Sequence, residues 1–181
     1  IEFVQFADGT IRLGGGSTPS SDIILGLYDA YFLRAPDQEG YLFWQEQISS
    51  GKKTLADISQ GFFDHPYATD VLAYDGKTDK DFVLAIYANV LNGTGQEKPT
   101  DAEVNYWVDY LKVAGHTRSG MVLQFITDAL TIDLSTITDP AIKEAGEHRQ
   151  DALWNKLDTG KTWLTTLGAA TNVSDAATQD P

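Results

Sequence analysis

The chain has 181 residues, 42% hydrophobic and 11% aromatic, enough apolar side chain to bury one domain-sized core or two small halves that share one. It has no cysteine, which excludes disulfides, zinc–thiolate sites and cysteine nucleophiles, and no apolar run approaches the ~20 residues of a membrane-spanning helix. Lys and Arg total 13 against 26 Asp and Glu; the net charge of −13 repels nucleic acid and anionic lipid and leaves a divalent cation such as calcium as a conceivable ligand.

Residues 1–13 alternate apolar and polar around Ala7-Asp8-Gly9-Thr10, the signal of a short β-hairpin with Ile1, Phe3, Ile11 and Leu13 on one side. The chain opens inside that pattern and holds a single methionine, Met121, as expected of a piece of a longer polypeptide; the hairpin then ends a preceding region. Residues 14–21 begin Gly14-Gly15-Gly16-Ser17-Thr18-Pro19 and read as a flexible linker.

Residues 22–170 are helical in pattern. Asp22 is placed to help cap a helix with Leu25, Tyr28, Tyr31 and Phe32 inward. Pro36 suits the first turn of a second helix, with Asp37 and Glu39 at its positive end and the stripe Tyr41, Trp44, Ile48, stopped by Gly51. Thr54 and Asp57 form a capping-box pattern ahead of Leu55, Ile58 and Phe62.

The same order then returns. Thr78 precedes Leu84, Tyr87 and Leu91; Pro99 precedes the capping box Thr100-x-x-Glu103 and the stripe Val104, Trp107, Leu111; Met121 and Phe125 follow. Trp44 and Trp107 are 63 residues apart, as are Phe62 and Phe125, with four residues gained in the connector Asn92–Glu97. After Leu134 comes a Thr/Asp/Pro break, a helix from about Pro140 to Leu157, and a further helical segment with Trp163 and Leu167; residues 171–181 read as a linker or tail. The expected fold is therefore mainly all-α: two three-helix pseudo-repeats, about 22–65 and 78–128, plus C-terminal helices, with the short hairpin in front.

Candidate chemistry is sparse. Of the three histidines, His65, His116 and His148, only His148 has acidic company, Glu144, Glu147 and Asp151, and no second histidine completes a metal motif. Asp75 to Asp81 resembles a calcium loop but places Lys77 and Ile86 where ligands belong, which leaves a helix cap. Gly93-x-Gly95 is too short for a dinucleotide fingerprint, and Gly160-Lys161-Thr162 lacks the frame of a phosphate loop. Asp37, Glu39, Asp101 and Glu103 all sit at helix starts, where capping accounts for them better than glycosidase work does. No catalytic residue, cofactor site or metal site is assigned. Phe43 and Tyr106 fall just off the two apolar stripes, free to cover a neighbour or to stack on a sugar or peptide; they are the candidate ligand-binding residues.

The run Tyr28-x-x-Tyr31-Phe32-x-Arg34-Ala35-Pro36-Asp37-x-Glu39-Gly40-x-x-Phe43-Trp44, with Leu55-Ala56-Asp57-Ile58-x-x-Gly61-Phe62-Phe63, resembles the typical segments of an uncharacterised helical domain of unknown function. That family occurs in type I-secreted RTX-type adhesins and S-layer-like bacterial surface proteins, and its pattern is similar to that of phycobilisome linker domains. Phe6 to Ile11 resembles the strand often found before it, and Asn155 to Asn172 its C-terminal helix. The second repeat departs from the pattern: Lys98-Pro99-Thr100-Asp101 replaces Arg-x-Pro-Asp, and Glu103 stands where the first has Gly40. The resemblance implies a non-catalytic structural or adhesive module, exported from a bacterium to the cell surface or outside, whose partner is a surface glycan or protein. The alternatives are a carbohydrate- or peptide-binding module on exposed aromatics and, last, a cell-wall hydrolase. Nucleic acid and membrane insertion are not expected.

Overall fold

In the computed structural model, which describes residues 20–92 and 97–166 in full and only the backbone of 2–6, 9–13 and 167, the chain folds as a helical body. Its helices are α1 (Ser20–Phe32), α2 (Gln38–Ser49), α3 (Leu55–Phe63), α4 (Asp79–Leu91), α5 (Asp101–Leu111), α6 (Arg118–Thr131) and α7 (Pro140–Thr162). A wide turn at Tyr67–Val71 joins the first three to the next three, and a tight turn at Leu134–Thr136 precedes α7.

The helix starts follow the oxygen-bearing side chains. Asp37, Thr54, Thr78, Thr100, Thr117 and Asp139 each accept a backbone N–H of the first turn, and the boxes Thr54–Asp57 and Thr100–Glu103 are closed in both directions. Two start assignments shift. Pro36 lies one residue before the cap Asp37, outside the first turn; Pro99 stands likewise before Thr100, where its sequence places it, and both are buried. They occupy the outer position of a hydrophobic staple, with Tyr41 and Val104 at the inner one. Asp22 is inside α1, not at its cap, and its buried carboxylate pairs with Lys161 Nζ at 2.5 Å.

Helix α1 is apolar almost all round, so it belongs at the centre: ten of its 13 residues are buried, and α2, α3, α4, α6 and α7 all pack on it. Gly26 is required there, since a Cβ would sit 2.8 Å from Ile126 Cγ2 on α6. The two groups of three helices meet where α3 lies on α6. A buried polar chain crosses that seam: Ser59 Oγ donates to Ser119 O at 2.8 Å, Tyr31 OH lies 3.1 Å from Ser59 Oγ, and Ser119 Oγ donates to Gln60 Oε1 at 2.6 Å. Each member has a partner, so the chain fixes the register of the two helices without an orphaned buried group.

Helix α7 does not stop near Leu157 as its sequence suggests. It continues to Thr162 and runs into a wide turn at Trp163–Leu167. Gly160 is buried there, and an added Cβ would make only ordinary contacts, 3.5 Å from Leu25 Cδ2 and 3.7 Å from Ala35 Cβ. The helix straps both groups together: Lys156 Nζ donates to Asp29 Oδ2 at 2.9 Å and to Asn89 O, while Lys161 reaches Asp22. Arg118 fastens the inter-group loop, donating to Lys77 O at 2.6 Å, Asp79 Oδ1 at 2.7 Å and Tyr74 O.

The backbone of Glu2–Phe6 pairs antiparallel with Gly9–Leu13. Linker residues 14–19, connector residues 93–96 and the tail 168–181 lie outside the described residues.

Candidate functional site

What the two halves share is core. In the first half Phe62 takes Tyr28 and Trp44 edge-on, at centroid distances of 4.9 and 5.4 Å, and Trp44 Nε1 donates to Tyr28 OH at 3.2 Å. In the second, Phe125 takes Tyr87 and Trp107 at 4.8 and 5.4 Å, and Trp107 hydrogen-bonds Tyr87. A guanidinium covers each tyrosine: Arg34 is 5.5 Å from the Tyr28 ring and Arg149 is 5.7 Å from that of Tyr87. Arg34 follows α1 in the same half, whereas Arg149 arrives from α7.

The burial of the two tryptophans differs. Trp107 is 5% exposed, as its stripe predicts; Trp44 is only partly buried, and α2 has no buried residue at all. The expectation that both tryptophans are core holds in full for the second copy alone. α2 packs mainly on α1, so one side of its stripe stays open.

In the second half a cleft of about 620 Å³ opens beside Tyr87. α4 contributes Tyr87 and Leu91, α5 Glu103, Tyr106 and Trp107, α6 Phe125 and Asp128, and α7 Gly146, Arg149 and Gln150. Ile132, Leu134 and Ile137 join the lining from the segment where the sequence shows a Thr/Asp/Pro break, and Ile142 from the first turn of α7. That segment leaves α6 at Ile132, whose extended backbone ends the helix, and Gln150 Nε2 holds the exit by donating to Ala129 O at 3.0 Å. At Gly146 an added Cβ would lie 3.0 Å from Leu134 Cδ2, so α7 and the tight turn approach closely there. Tyr106, Ile132 and Ile142 remain 61%, 48% and 42% exposed and give the cleft an apolar mouth.

Its interior charge is balanced. Arg149, with a side chain only 6% exposed, pairs through Nη2 with Glu103 Oε1 at 2.9 Å and donates from Nε to Ala145 O at 3.0 Å. Glu103 Oε2 accepts from Thr100 N and Oγ1 at 2.8 and 2.9 Å. Burial opposes the Glu103 charge, but the Thr100 N–H and the bond and charge of Arg149 outweigh it and hold the carboxyl below its ordinary range. Burial, aided by the Glu103 charge, pushes the Tyr87 phenol up to about 12, so it stays protonated. Glu103 is thus committed to cap and ion pair, and the lining contains no His, Lys, Cys or Ser among the described residues. The chemistry on offer is enclosure of an apolar group.

The two candidate aromatics do not share a site. Tyr106 stands on the cleft; Phe43, 46% exposed and edge-on to Trp44 at 4.9 Å, lies on the first half away from its lining. His148 does not pair with Glu144 for a metal: its Nδ1 lies 2.9 Å from Glu97 Oε1. That hydrogen bond and the charge of Glu97 raise the imidazole pKa. His65 Nδ1 accepts from Tyr67 N, and His116 stacks on Tyr110 at 3.9 Å. Among the described residues no three His, Asp or Glu side chains gather as a metal site, and no helix is long and apolar enough to cross a membrane. Arg149 and the three lining residues of the break, Ile132, Leu134 and Ile137, had no periodic signal of their own. The only clue was that a segment rich in turn residues keeps an apolar one every few positions.

Residues 11–66 match the family model described as Domain of unknown function (DUF4214), so the resemblance to an uncharacterised helical family holds over the first half. No curated protein and no solved structure matches the chain.

Proposed function

We propose that the chain is a non-catalytic recognition module of a larger, exported bacterial surface protein. Its duplicated helical halves form the scaffold, and the cleft of the second half holds the partner. The N-terminal ribbon belongs to the end of a preceding region of that protein. The observation that carries the reading is the asymmetry between two otherwise matched aromatic triads. Around Tyr87 the scaffold is opened into an apolar cleft with an exposed apolar mouth, and its one interior cation is already neutralised. A spacer needs no such opening.

Nile red, an uncharged apolar dye, tests this. The protein gives a saturable, blue-shifted emission, and Ala102→Trp, which adds bulk at an exposed lining residue without touching the core, removes most of it. A folded protein that gives no saturable signal refutes the reading.

The carbohydrate reading draws on the exposure of Phe43 and Tyr106. The mainly apolar lining beside Tyr106 offers few of the hydrogen-bond partners a sugar needs, and a glycan array with no signal disposes of it.

A further inference from the structure

We infer that the cleft receives the apolar face of a cationic amphipathic segment of a partner protein, with aliphatic or aromatic anchors inside and Lys or Arg around the mouth. This rests on the recognition reading above and names the class of partner.

Three observations select that occupant. The mouth itself is apolar: Tyr106, Ile132 and Ile142 project beyond the cavity, so a small molecule inside would leave them in water, whereas a macromolecular segment covers them. At about 620 Å³ the cleft falls within the usual ligand-pocket range of ~300–1,000 Å³, room for the few anchors that an amphipathic helix presents at i, i+3 and i+7.

The second observation is the sign of the surroundings. Asp128 stands in the wall, and Asp133 and Asp139, both exposed, flank the break that forms the rim. Both use their carboxylates as helix or turn caps, which fixes them in place while leaving the charge. Two basic side chains close by have acidic partners, Lys143 with Glu147 at 3.7 Å and His148 with Glu97 at 2.9 Å. The third is the interior: Arg149 is matched by Glu103, so the wall gives no net attraction to a carboxylate or phosphate, and the chain's −13 opposes one.

A fluorescein-labelled synthetic peptide of Leu and Lys at helical spacing is the probe, read by anisotropy and by displacement of Nile red. Its partners are a Leu/Glu peptide of the same pattern and a scrambled Leu/Lys peptide. The Leu/Lys peptide binds saturably, displaces the dye and weakens with added salt. Ile142→Asp weakens it about tenfold, and Asp133→Asn with Asp139→Asn, which keeps both caps, about threefold; Phe43→Ser changes nothing. Circular dichroism confirms that each variant is folded. The inference is overturned if the dye binds but the Leu/Lys peptide does not displace it, a result that leaves the recognition reading standing. Equal binding of the Leu/Glu or scrambled peptide, or indifference to Ile142→Asp, overturns it too.

Discussion

Arg149 and Glu103 form the ion pair on which the cleft wall depends, and a double-mutant cycle on them gives a sharp test. Arg149→Met keeps an aliphatic stem over the Tyr87 ring and removes the charge. Glu103 then keeps its Thr100 bonds and its 29% exposure but loses the countercharge at 2.9 Å. Breaking a fully buried pair costs about 3–5 kcal/mol, and this partial exposure places the cost at about 2–3 kcal/mol. Glu103→Gln leaves the guanidinium, 6% exposed, with only Ala145 O and the Tyr87 face, for a similar loss. With both charges gone nothing is left uncompensated, so the double variant also loses about 2–3 kcal/mol, a coupling of about 2 kcal/mol. Urea unfolding at neutral pH, followed by tryptophan fluorescence and circular dichroism, measures all three. Losses that simply add refute the argument.

The cycle has a pH signature. The folded Glu103 carboxyl lies below its unfolded value, so its contribution is complete above the unfolded pKa and disappears as pH falls through the folded one. Glu103→Gln therefore flattens the acid limb of the stability curve.

Trp107→Ala removes an indole packed on Phe125 and Tyr110 and costs about 3–5 kcal/mol, whereas Trp44→Ala, on an open helix, costs about half that; equal losses in urea would contradict the burial difference. Tyr87, raised from 10.0 to about 12 by burial, carries stability that is complete below the unfolded pKa and lost as pH rises through the folded one, and Tyr87→Phe removes that alkaline slope. For His148, raised first by its Glu97 hydrogen bond, Glu97→Gln lowers the NMR titration midpoint of the ring; an unmoved midpoint would show that the pair does not form in solution.

The helical body was legible because its signals are local. Thr54, Thr78 and Thr100 announce helix starts through their own hydroxyls, and Tyr28, Phe62, Tyr87 and Phe125 mark the inward face through spacing alone. Pro36 misled by one position because a proline fits both the first turn and the residue before a cap. The expected end of the last helix near Leu157 fell short because the buried Gly160 continues α7 instead of breaking it. The cleft was illegible for a different reason. Tyr106 was singled out by its place beside a stripe, but Arg149, 46 residues beyond Glu103, is brought to it only by the course of α7, and a pair so distant leaves no periodic trace. The contrast between Trp44 and Trp107 likewise depends on what packs over α2 and α5, which the matching stripes do not encode.

The seam between α3 and α6 bears on where the domain can be cut. The family match ends at residue 66, yet Ile58 and Ser59 on its last helix are closed off by the other half, Ser59 through a bond to Ser119 O, and Gly26 on α1 is shaped to admit Ile126. A polypeptide trimmed to the matched residues would carry half of an interface and nothing to place on it. The two halves are not two beads on a string. Each half supplies a wall of the other, and α7 is tied to both.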